Sequence, residues 1–367
     1  MLRFPSILHI DLKALQSNYK MLSTRAAMSE TCGVVKADAY GLGADQVVRA
    51  LYHAGCRTFF VAHLEEALQI DGQYPDIKIY VLNGLLTGEA EEFAAHETIF
   101  PVLNNLQDVS VWQNFAARQQ KKLPAALHID TGMNRLGLGT REYETLLSEK
   151  EQILQGIDIK FIMSHFSSAD EKNHPETPRQ AARFAEIMSH FPRVPASLSN
   201  SAGIFVSPDY HYDLVRPGMA LYGLNPTPHT DNPMQPVVSL QTRILNIQTI
   251  KAGESVGYGA AYRAEKEETL ATVNLGYADG FLRCLSNKGH LYWQGQACPI
   301  RGRVSMDLVT VSIDHLGEKP QAGDMMEVIG LSQSADDLAA AAGTIGYEIL
   351  TSLGNRYRRE YVQEDCW

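Results

Sequence analysis

VVKADAYGLG (residues 34–43) puts a lysine at the point where an apolar run gives way to a loop. The residues that lead into it, TCGVV, are typical of a buried strand, and a lysine is rarely buried unless it is paired. Lys36 therefore either reaches solvent at the end of the strand or has been placed there for chemistry. The fold predicted from the strands that follow indicates whether Lys36 is a solvent-exposed lysine or a reactive one.

Seven further apolar runs follow within residues 1–225, with helical patterns between several of them. These runs are TFFVA, IKIYVLN, TIFPVLN, ALHID, IKFIMSHF, ASLSN and LVRPGMALYG. Asp11 is a good helix N-cap, and it precedes a helical stripe of Leu12, Leu15, Tyr19 and Leu22. Eight strands that alternate with helices predict an α/β fold, namely a (β/α)8 TIM-type barrel of the usual size.

The pattern changes after NPTPHTDNP (residues 225–233), a linker rich in Pro and Asn. Beyond the linker, segments such as VVSLQTRILNIQTI, TLATVNLGY and DMMEVIG are typical of strands joined by turns. We therefore expect two domains, a barrel over residues 1–226 and a mostly β domain over residues 227–367.

Composition and charge narrow the classes of function. The chain has 367 residues, and Asp plus Glu outnumber Lys plus Arg by 42 to 32, which gives a formal charge of −10. No basic block is present that could follow a phosphate backbone, so we expect no nucleic-acid partner. No apolar run approaches membrane-spanning length, so we expect no membrane partner.

The cysteines and the N-terminus indicate the cellular compartment. Five scattered cysteines lack any CxxC pair, so neither a disulfide framework nor a zinc site is expected: Cys32, Cys56, Cys284, Cys298 and Cys366. The N-terminal segment has no apolar core of a signal peptide. We therefore expect a cytoplasmic protein without a metal site.

The barrel gives Lys36 a functional interpretation. In this fold the active site lies at the C-terminal ends of the strands, and phosphate often binds at the loops after strands seven and eight. SNSAG (residues 199–203) follows the seventh strand and offers Ser201, while RPGMALYG (residues 216–223) supplies the amides of Gly218 and Met219. A lysine that faces a phosphate cradle suits pyridoxal phosphate, because the amine forms a Schiff base with the aldehyde while the phosphate anchors the ring.

These motifs, together with others along the chain, resemble the alanine racemase family of barrel-type pyridoxal phosphate enzymes. They occur in the family's order: IDLKALQSNY, VVKADAYGLG, HIDTGMNRLG, MSHFSSAD, SNSAG, DLVRPGMALYG, GYGAAY, NLGYADGF and GRVSMD. Smaller relatives that carry the cofactor without racemase activity have no β domain after the barrel. The residues beyond 226 therefore favour a racemase.

The resemblance implies a role for each motif residue. Lys36 and Tyr258 would be the two catalytic bases, Arg135 and the Met306 backbone would hold the substrate carboxylate, and Tyr277 would stand at the substrate entrance. The cofactor-binding residues would be Lys36, Tyr40, His165, Asn200, Ser201, Arg216, Gly218 and Met219. Without the resemblance, His165 could be a core histidine, and the serine, asparagine and tyrosines would be ordinary turn or structural residues.

The implied function is the interconversion of L-alanine and D-alanine with one base on each face of the substrate, which would supply D-alanine for peptidoglycan. The resemblance also implies a homodimer in which the β domain of each subunit closes the barrel of the other. The alternatives are a racemase for serine or a broader set of amino acids, a decarboxylase on the same barrel, and a noncatalytic pyridoxal phosphate carrier.

Two positions depart from the family pattern. His128 stands where many members have a carbamylated lysine that orients the carboxylate-binding arginine. Near the C-terminus, where many members have a tyrosine that contacts the phosphate, alignment through LGNRYRREY offers Asn355, with Tyr357 two residues on.

Overall fold

The computed structural model describes residues 4–362, so Cys366 lies outside the described residues. Within that range the chain begins with strand β1 (Ser6–Asp11) and helix α1 (Leu12–Arg25). Asp11 caps α1, because its Oδ1 accepts a hydrogen bond of 2.8 Å from the amide of Ala14. The predicted apolar stripe of α1 is confirmed, since its residues are all buried: Leu12, Leu15, Tyr19 and Leu22.

Eight parallel strands then form a closed barrel, and Cys32 divides the first of them into two parts. The strands are β2 (Glu30–Thr31) with β3 (Gly33–Val34), β4 (Thr58–Val61), β5 (Lys78–Val81), β6 (Ile99–Leu103), β7 (Leu123–His128), β8 (Ile157–Met163), β9 (Ala196–Ser197) and β10 (Leu214–Val215). β3 to β9 form one seven-stranded sheet in chain order. β10 closes the barrel, because it pairs with β2, and a bridge between Asn200 and Arg216 joins the segments that follow β9 and β10. The predicted (β/α)8 architecture is confirmed.

Helical segments connect most of these strands. The first, α2 (Lys36–Gly41), is a left-handed turn at the barrel mouth. The others are α3 (Ala44–His53), α4 (Leu64–Ile70), α5 (Ala90–Ala95), α6 (Leu106–Gln119), α7 (Thr140–Ser148), α8 (Lys150–Ile153), α9 (Glu176–Ser189) and α10 (Gly203–Val206). Short 3-10 turns cover Pro208–Tyr210 and Met219–Tyr222. The loops at the C-terminal ends of the strands therefore converge on one mouth.

The second domain is built mainly from antiparallel strands. Its strands are β11 (Val238–Ile250), β12 (Ser255–Val256), β13 (Tyr262–Arg263), β14 (Glu268–Asn274), β15 (His290–Trp293), β16 (Gln296–Pro299), β17 (Leu308–Ser312), β18 (Met325–Ile329) and β19 (Arg358–Val362). Two helices lie between the last two strands, α11 (Ala335–Ala342) and α12 (Gly346–Ser352). Further 3-10 turns cover Tyr258–Ala260, Tyr277–Asp279 and Arg283–Leu285. The mostly β character expected after the linker is confirmed.

Strand β1 joins the second domain, although it precedes the barrel in sequence. It pairs antiparallel with β11 and parallel with β19. The second sheet therefore includes residues from the predicted first domain, and the boundary near residue 226 stays a prediction. Among residues 4–362, no helix combines the length and the apolar character needed to cross a lipid bilayer.

Candidate active site

The barrel mouth holds a cavity of about 570 Å³ that brings together nine of the residues predicted from the sequence. These residues are Lys36, Tyr40, Arg135, His165, Asn200, Ser201, Arg216, Gly218 and Met219. They come from the ends of five of the eight strands, so only the closed barrel places them side by side.

Lys36 lies in this cavity at the end of the first strand. Burial lowers the pKa of its amine below the ordinary value, the guanidinium of Arg135 lowers it further, and the carboxylate of Glu66 opposes both. A lysine with a lowered pKa is more often neutral at physiological pH, and a neutral amine is nucleophilic. The interpretation of Lys36 as a lysine that merely reaches solvent is therefore not favoured.

A left-handed turn follows Lys36 directly. From Ala37 to Tyr40, φ lies between 52° and 57°, and none of these residues is a glycine. A left-handed conformation costs roughly 1–2 kcal/mol for each residue that has a Cβ. The turn is held at its start by Glu66, whose Oε1 accepts a hydrogen bond of 2.7 Å from the amide of Ala37. The turn brings Lys36 and Tyr40 into the same cavity.

Ser201, Gly218 and Tyr40 form a cradle for an anion. Ser201 Oγ accepts hydrogen bonds from the amides of Gly218 (2.9 Å) and Ala220 (3.3 Å), which leaves its hydroxyl proton free to donate. A Cβ on Gly218 would lie only 2.3 Å from Tyr40 Oη, so only glycine permits this approach. Hydroxyl and amide donors gathered at one point suit a phosphate group.

Arg216 is a buried cation that lines the same cavity, with 3% of its surface exposed. Its guanidinium donates to Ser197 Oγ and to the carbonyl oxygens of Ser164 (2.6 Å) and Leu198 (3.4 Å). Burial lowers the pKa of Arg216 to about 10, so it remains charged at neutral pH. No carboxylate pairs with it in the part of the chain that the structure describes. A buried charge without a counter-charge is costly, so the site favours an acceptor beside Arg216.

His165 and Asn200 also line the cavity of Lys36 and Arg216. The backbone of His165 is fixed by Gln180, whose Nε2 donates to its carbonyl oxygen at 2.9 Å. Burial and the nearby Arg216 guanidinium hold the pKa of His165 well below its usual range, so the ring is neutral. Asn200 Oδ1 accepts from the amide of Gly203 at 3.0 Å, which fixes the turn that carries Ser201.

Arg135 lies on a loop that Asp130 fixes. Asp130 Oδ1 accepts hydrogen bonds from the amides of Gly132 (3.0 Å), Met133 (2.9 Å) and Asn134 (3.1 Å). The Arg135 side chain itself is exposed, and it forms no hydrogen bond or ion pair with any residue from 4 to 362. Its guanidinium is therefore available to an anion in the cavity.

His128 lies buried below the loop of Arg135, as the last residue of β7. Asn104 Nδ2 donates to the carbonyl oxygens of Leu82 (3.0 Å) and Val102 (3.1 Å), so Asn104 Oδ1 faces His128 Nδ1 at 2.8 Å. This arrangement puts the ring proton on Nδ1 and leaves Nε2 as an acceptor. Burial lowers the pKa of His128 to about 4, with help from nearby guanidinium groups and against the Asp130 carboxylate. His128 is therefore neutral at pH 7.

Tyr258, Tyr277 and Met306 do not line the cavity of Lys36. They lie on the second domain with 73%, 44% and 53% of their surfaces exposed. Tyr258 and Tyr277 line a separate recess of about 320 Å³ together with Arg283 and Arg303. A single chain thus holds the predicted site in two separate parts.

Two family models match almost the whole chain. The model of the alanine racemase N-terminal domain matches residues 10–226, and the model of the C-terminal domain matches residues 237–361. The chain belongs to the alanine racemase family.

Named alanine racemases are similar over nearly their full length. A catabolic alanine racemase of Agrobacterium fabrum is 48% identical over 97% of this chain and 92% of its own length. An alanine racemase of Brucella canis is 46% identical over 97% of this chain and 93% of its own length. The crystal structure of alanine racemase from Bartonella henselae, which has covalently bound pyridoxal phosphate, superposes with a TM-score of 0.95 at 42% identity, covering 98% of this chain and 100% of that one. The biosynthetic alanine racemase of Pseudomonas aeruginosa gives a TM-score of 0.88 at 32% identity, covering 98% and 100%.

One tyrosine of the cavity was not predicted from the sequence of this alanine racemase family member. Tyr347, on α12, lines the cavity, with its hydroxyl at 2.5 Å from Met219 Sδ and its ring centroid 6.1 Å from that of Tyr40. Neither position offered by alignment lies there, because Asn355 is exposed elsewhere and Tyr357 is buried away from the cavity. No short pattern marks Tyr347, whose place depends on how α12 packs against the barrel mouth.

Proposed function

We propose that this chain is a pyridoxal phosphate-dependent alanine racemase that interconverts L-alanine and D-alanine. The single observation that carries the proposal is the cavity in which the amine of Lys36, with its lowered pKa, shares one space with an anion cradle and a buried arginine. The named relatives and the cofactor-bound Bartonella henselae structure support both the reaction and the cofactor.

The residues of the cavity fit the cofactor. Lys36 would carry it covalently, while the hydroxyls of Ser201 and Tyr40, with the Met219 amide, would hold its phosphate; Gly218, whose amide donates to Ser201 Oγ, would let the loop approach it closely. Tyr347, whose hydroxyl lies beside Met219, would add a further donor. When bound, pyridoxal phosphate withdraws electrons from the α-carbon of an amino acid and so makes its proton removable.

Arg216 would face the pyridine nitrogen, with His165 against the ring and Asn200 supporting the phosphate turn. Arginine is a donor that does not readily release its proton, so it would leave that nitrogen unprotonated. An unprotonated ring withdraws fewer electrons, which would limit side reactions such as transamination. The absence of a carboxylate partner for Arg216 in the described range suits this role.

Racemisation requires a proton to leave one face of the α-carbon and another to return to the opposite face. Lys36 would serve one face and take the α-proton of D-alanine. Tyr258 would serve the other face and take the α-proton of L-alanine.

The two bases would meet across a homodimer. Tyr258 and Met306 are exposed on the second domain and do not line the cavity of their own chain, which supports a site completed by the partner subunit. Tyr277 would then stand at the entrance that the partner's domain closes. An isolated subunit would have no base on one face and would not racemise alanine.

Arg135 and the Met306 amide would hold the substrate carboxylate. In place of a carbamylated lysine, a neutral His128, a bound anion or another side chain would steady Arg135; Asn104 already occupies Nδ1 of His128, so Nε2 is its remaining acceptor. A protonated His128 would instead repel the guanidinium, and its pKa of about 4 prevents this at neutral pH. Activity would therefore not depend on dissolved carbon dioxide.

We also propose that the enzyme acts in the cytoplasm and supplies D-alanine for peptidoglycan. The four described cysteines are free thiols, which suits a reducing compartment: Cys32, Cys56, Cys284 and Cys298. Because racemisation runs in both directions, the same site could also consume D-alanine, as the name of the catabolic Agrobacterium fabrum relative suggests. Growth of a strain that requires D-alanine, with and without this chain, separates the two roles.

The test of the proposal uses the purified chain with pyridoxal phosphate. We expect a yellow protein, attachment of the cofactor's mass to Lys36 after borohydride reduction, and D-alanine formed from L-alanine. D-serine formed from L-serine at a comparable rate would favour a racemase of broader specificity. Attachment of the cofactor to Lys36 without racemisation of alanine would favour a noncatalytic pyridoxal phosphate carrier. A protein that ignores pyridoxal phosphate would overturn the proposal.

A further inference from the structure

The left-handed turn that follows Lys36 is held at its far end by the second domain of the same chain. Strand β19 runs past this end, and Arg359 and Tyr361 both point toward it. Tyr361 Oη donates to the carbonyl oxygen of Leu42 at 2.9 Å. Arg359 Nη1 donates to the carbonyl oxygen of Gly41 at 2.5 Å. Two consecutive carbonyl groups of the turn therefore receive their donors from β19.

Arg359 also holds the chain segment that leads from α12 to β19. Its Nη2 donates to the carbonyl oxygens of Leu353 and Gly354, each at 3.4 Å. No carboxylate pairs with this guanidinium among residues 4–362. Its guanidinium thus donates to backbone carbonyl groups of both the turn and the segment before β19. A half-buried carbonyl group that loses its donor raises the free energy of the folded state.

The two glycines at the end of the turn contact the second domain so closely that there is no space for a Cβ atom. A Cβ on Gly41 would lie 2.5 Å from the carbonyl oxygen of Leu350, and one on Gly43 would lie 2.2 Å from Tyr361 Oη. Both glycines also have positive φ, at 81° and 97°. The end of the turn is therefore fitted to α12 and β19, whereas its start is held from the barrel by Glu66.

We propose that Arg359 and Tyr361 act as positioning residues, here named the β19 clamp, that hold the carbonyl groups of Gly41 and Leu42 and so keep residues 37–41 in the left-handed form that places Lys36 and Tyr40 in the cavity. Four successive residues with a Cβ do not adopt that form on their own, since each is sterically disfavoured. The second domain thereby supports the cofactor lysine of its own chain, in addition to any contact with a partner. The functional part of this inference rests on the proposed role of Lys36.

Hydrogen exchange tests the clamp directly. Tyr361→Phe removes one hydrogen bond and keeps the ring, and Arg359→Lys keeps the charge but loses the forked contact. In the full chain without added cofactor, we expect the amides of residues 37–43 to exchange about fivefold or more faster in each variant. The amides of the central barrel strands should exchange at the wild-type rate. The affinity of each variant for added pyridoxal phosphate should be lower than that of the wild type by a similar factor.

Arg358→Lys is the matched control, because Arg358 lies on the same strand but faces the other way. It pairs with Glu360 at 2.7 Å and covers the ring of Phe4 at 4.5 Å. We expect wild-type exchange of residues 37–43 and wild-type cofactor affinity in this variant. Equal effects of Arg358→Lys and Tyr361→Phe would show general destabilisation and would overturn the clamp.

The outcomes separate the clamp from the proposed function. Unchanged exchange of residues 37–43 in Tyr361→Phe overturns the clamp, even if the wild-type chain racemises alanine. If the Arg359→Lys variant does not fold, the exchange rates of residues 37–43 in the Tyr361→Phe variant alone test the clamp. A wild-type chain that fails to bind pyridoxal phosphate overturns the proposed function, while faster exchange in Tyr361→Phe still supports the structural role of the clamp.

Discussion

Replacing Gly218 by alanine tests the anion cradle, because the fit of Gly218 against Tyr40 is so close. The new Cβ would lie 2.3 Å from Tyr40 Oη and 3.1 Å from its Cζ, whereas carbon and oxygen atoms normally stay more than about 3 Å apart. Tyr40 cannot move away easily, since its ring centroid lies 4.5 Å from the ring centroid of Tyr222. Tyr222 is itself fixed, because its hydroxyl donates to the carbonyl oxygen of Val34 at 2.8 Å.

The expected loss follows from the cost of overpacking. Forcing an extra methyl group into a packed site costs about 1–3 kcal/mol. If the Tyr40 hydroxyl escapes in the free protein and must return to hold the phosphate, this cost appears as about 5- to 150-fold weaker binding of pyridoxal phosphate. Titration of the cofactor-free protein, followed by the visible absorbance of the bound cofactor, measures this affinity.

Gly139→Ala is the matched control for Gly218→Ala. No atom lies within 4 Å of the position that its Cβ would take, and its φ of −71° suits any residue. We expect wild-type cofactor affinity in this variant. Cofactor affinity unchanged by Gly218→Ala, in a protein that folds normally, would refute the assignment of this loop as the phosphate cradle.

Three further predictions concern the bases, the phosphate donor and the support of Arg135. In deuterated water, Tyr258→Phe should nearly abolish α-proton exchange of L-alanine but reduce that of D-alanine less, and equal losses would argue against two bases. Tyr347→Phe should weaken cofactor binding severalfold, whereas Tyr357→Phe should leave it unchanged, and the reverse order would contradict the position of Tyr347. Removing bicarbonate and carbon dioxide should not change activity, whereas His128→Gln should raise KM for alanine more than it lowers kcat. Recovery of lost activity on adding bicarbonate would reveal a carbamylated group instead of a neutral His128.

The barrel could be predicted from the sequence because each of its strands is a short apolar run bounded by polar or turn residues. Strand β1 was missed, although Leu8 and Ile10 alternate with polar residues, because its partners lie more than two hundred residues away in sequence. Non-local pairing of this kind leaves little local signal.

The site residues were predictable to different degrees. The position of Lys36 at the end of a strand and the composition of the loop around Ser201 indicated a phosphate site without any known relative. The left-handed turn had no such signal, because residues 37–40 contain no glycine and take this form only through tertiary contacts. Tyr258 was predicted by resemblance alone, since it lies away from the cavity of its own chain.

We expect each active site to combine Lys36 of one subunit with Tyr258 of its partner. Subunits that carry Lys36→Ala and subunits that carry Tyr258→Phe should each form homodimers with almost no racemase activity. When the two are co-expressed with different affinity tags, the heterodimer can be purified through both tags.

In that heterodimer, one site contains both substitutions and the other contains neither, if the bases come from different subunits. We predict that the purified heterodimer racemises L-alanine at about half the wild-type rate per dimer, because one of its two sites is intact. If both bases came from one subunit, every site would carry one substitution. A heterodimer as inactive as the two homodimers would therefore show that the two bases of a site do not come from different subunits.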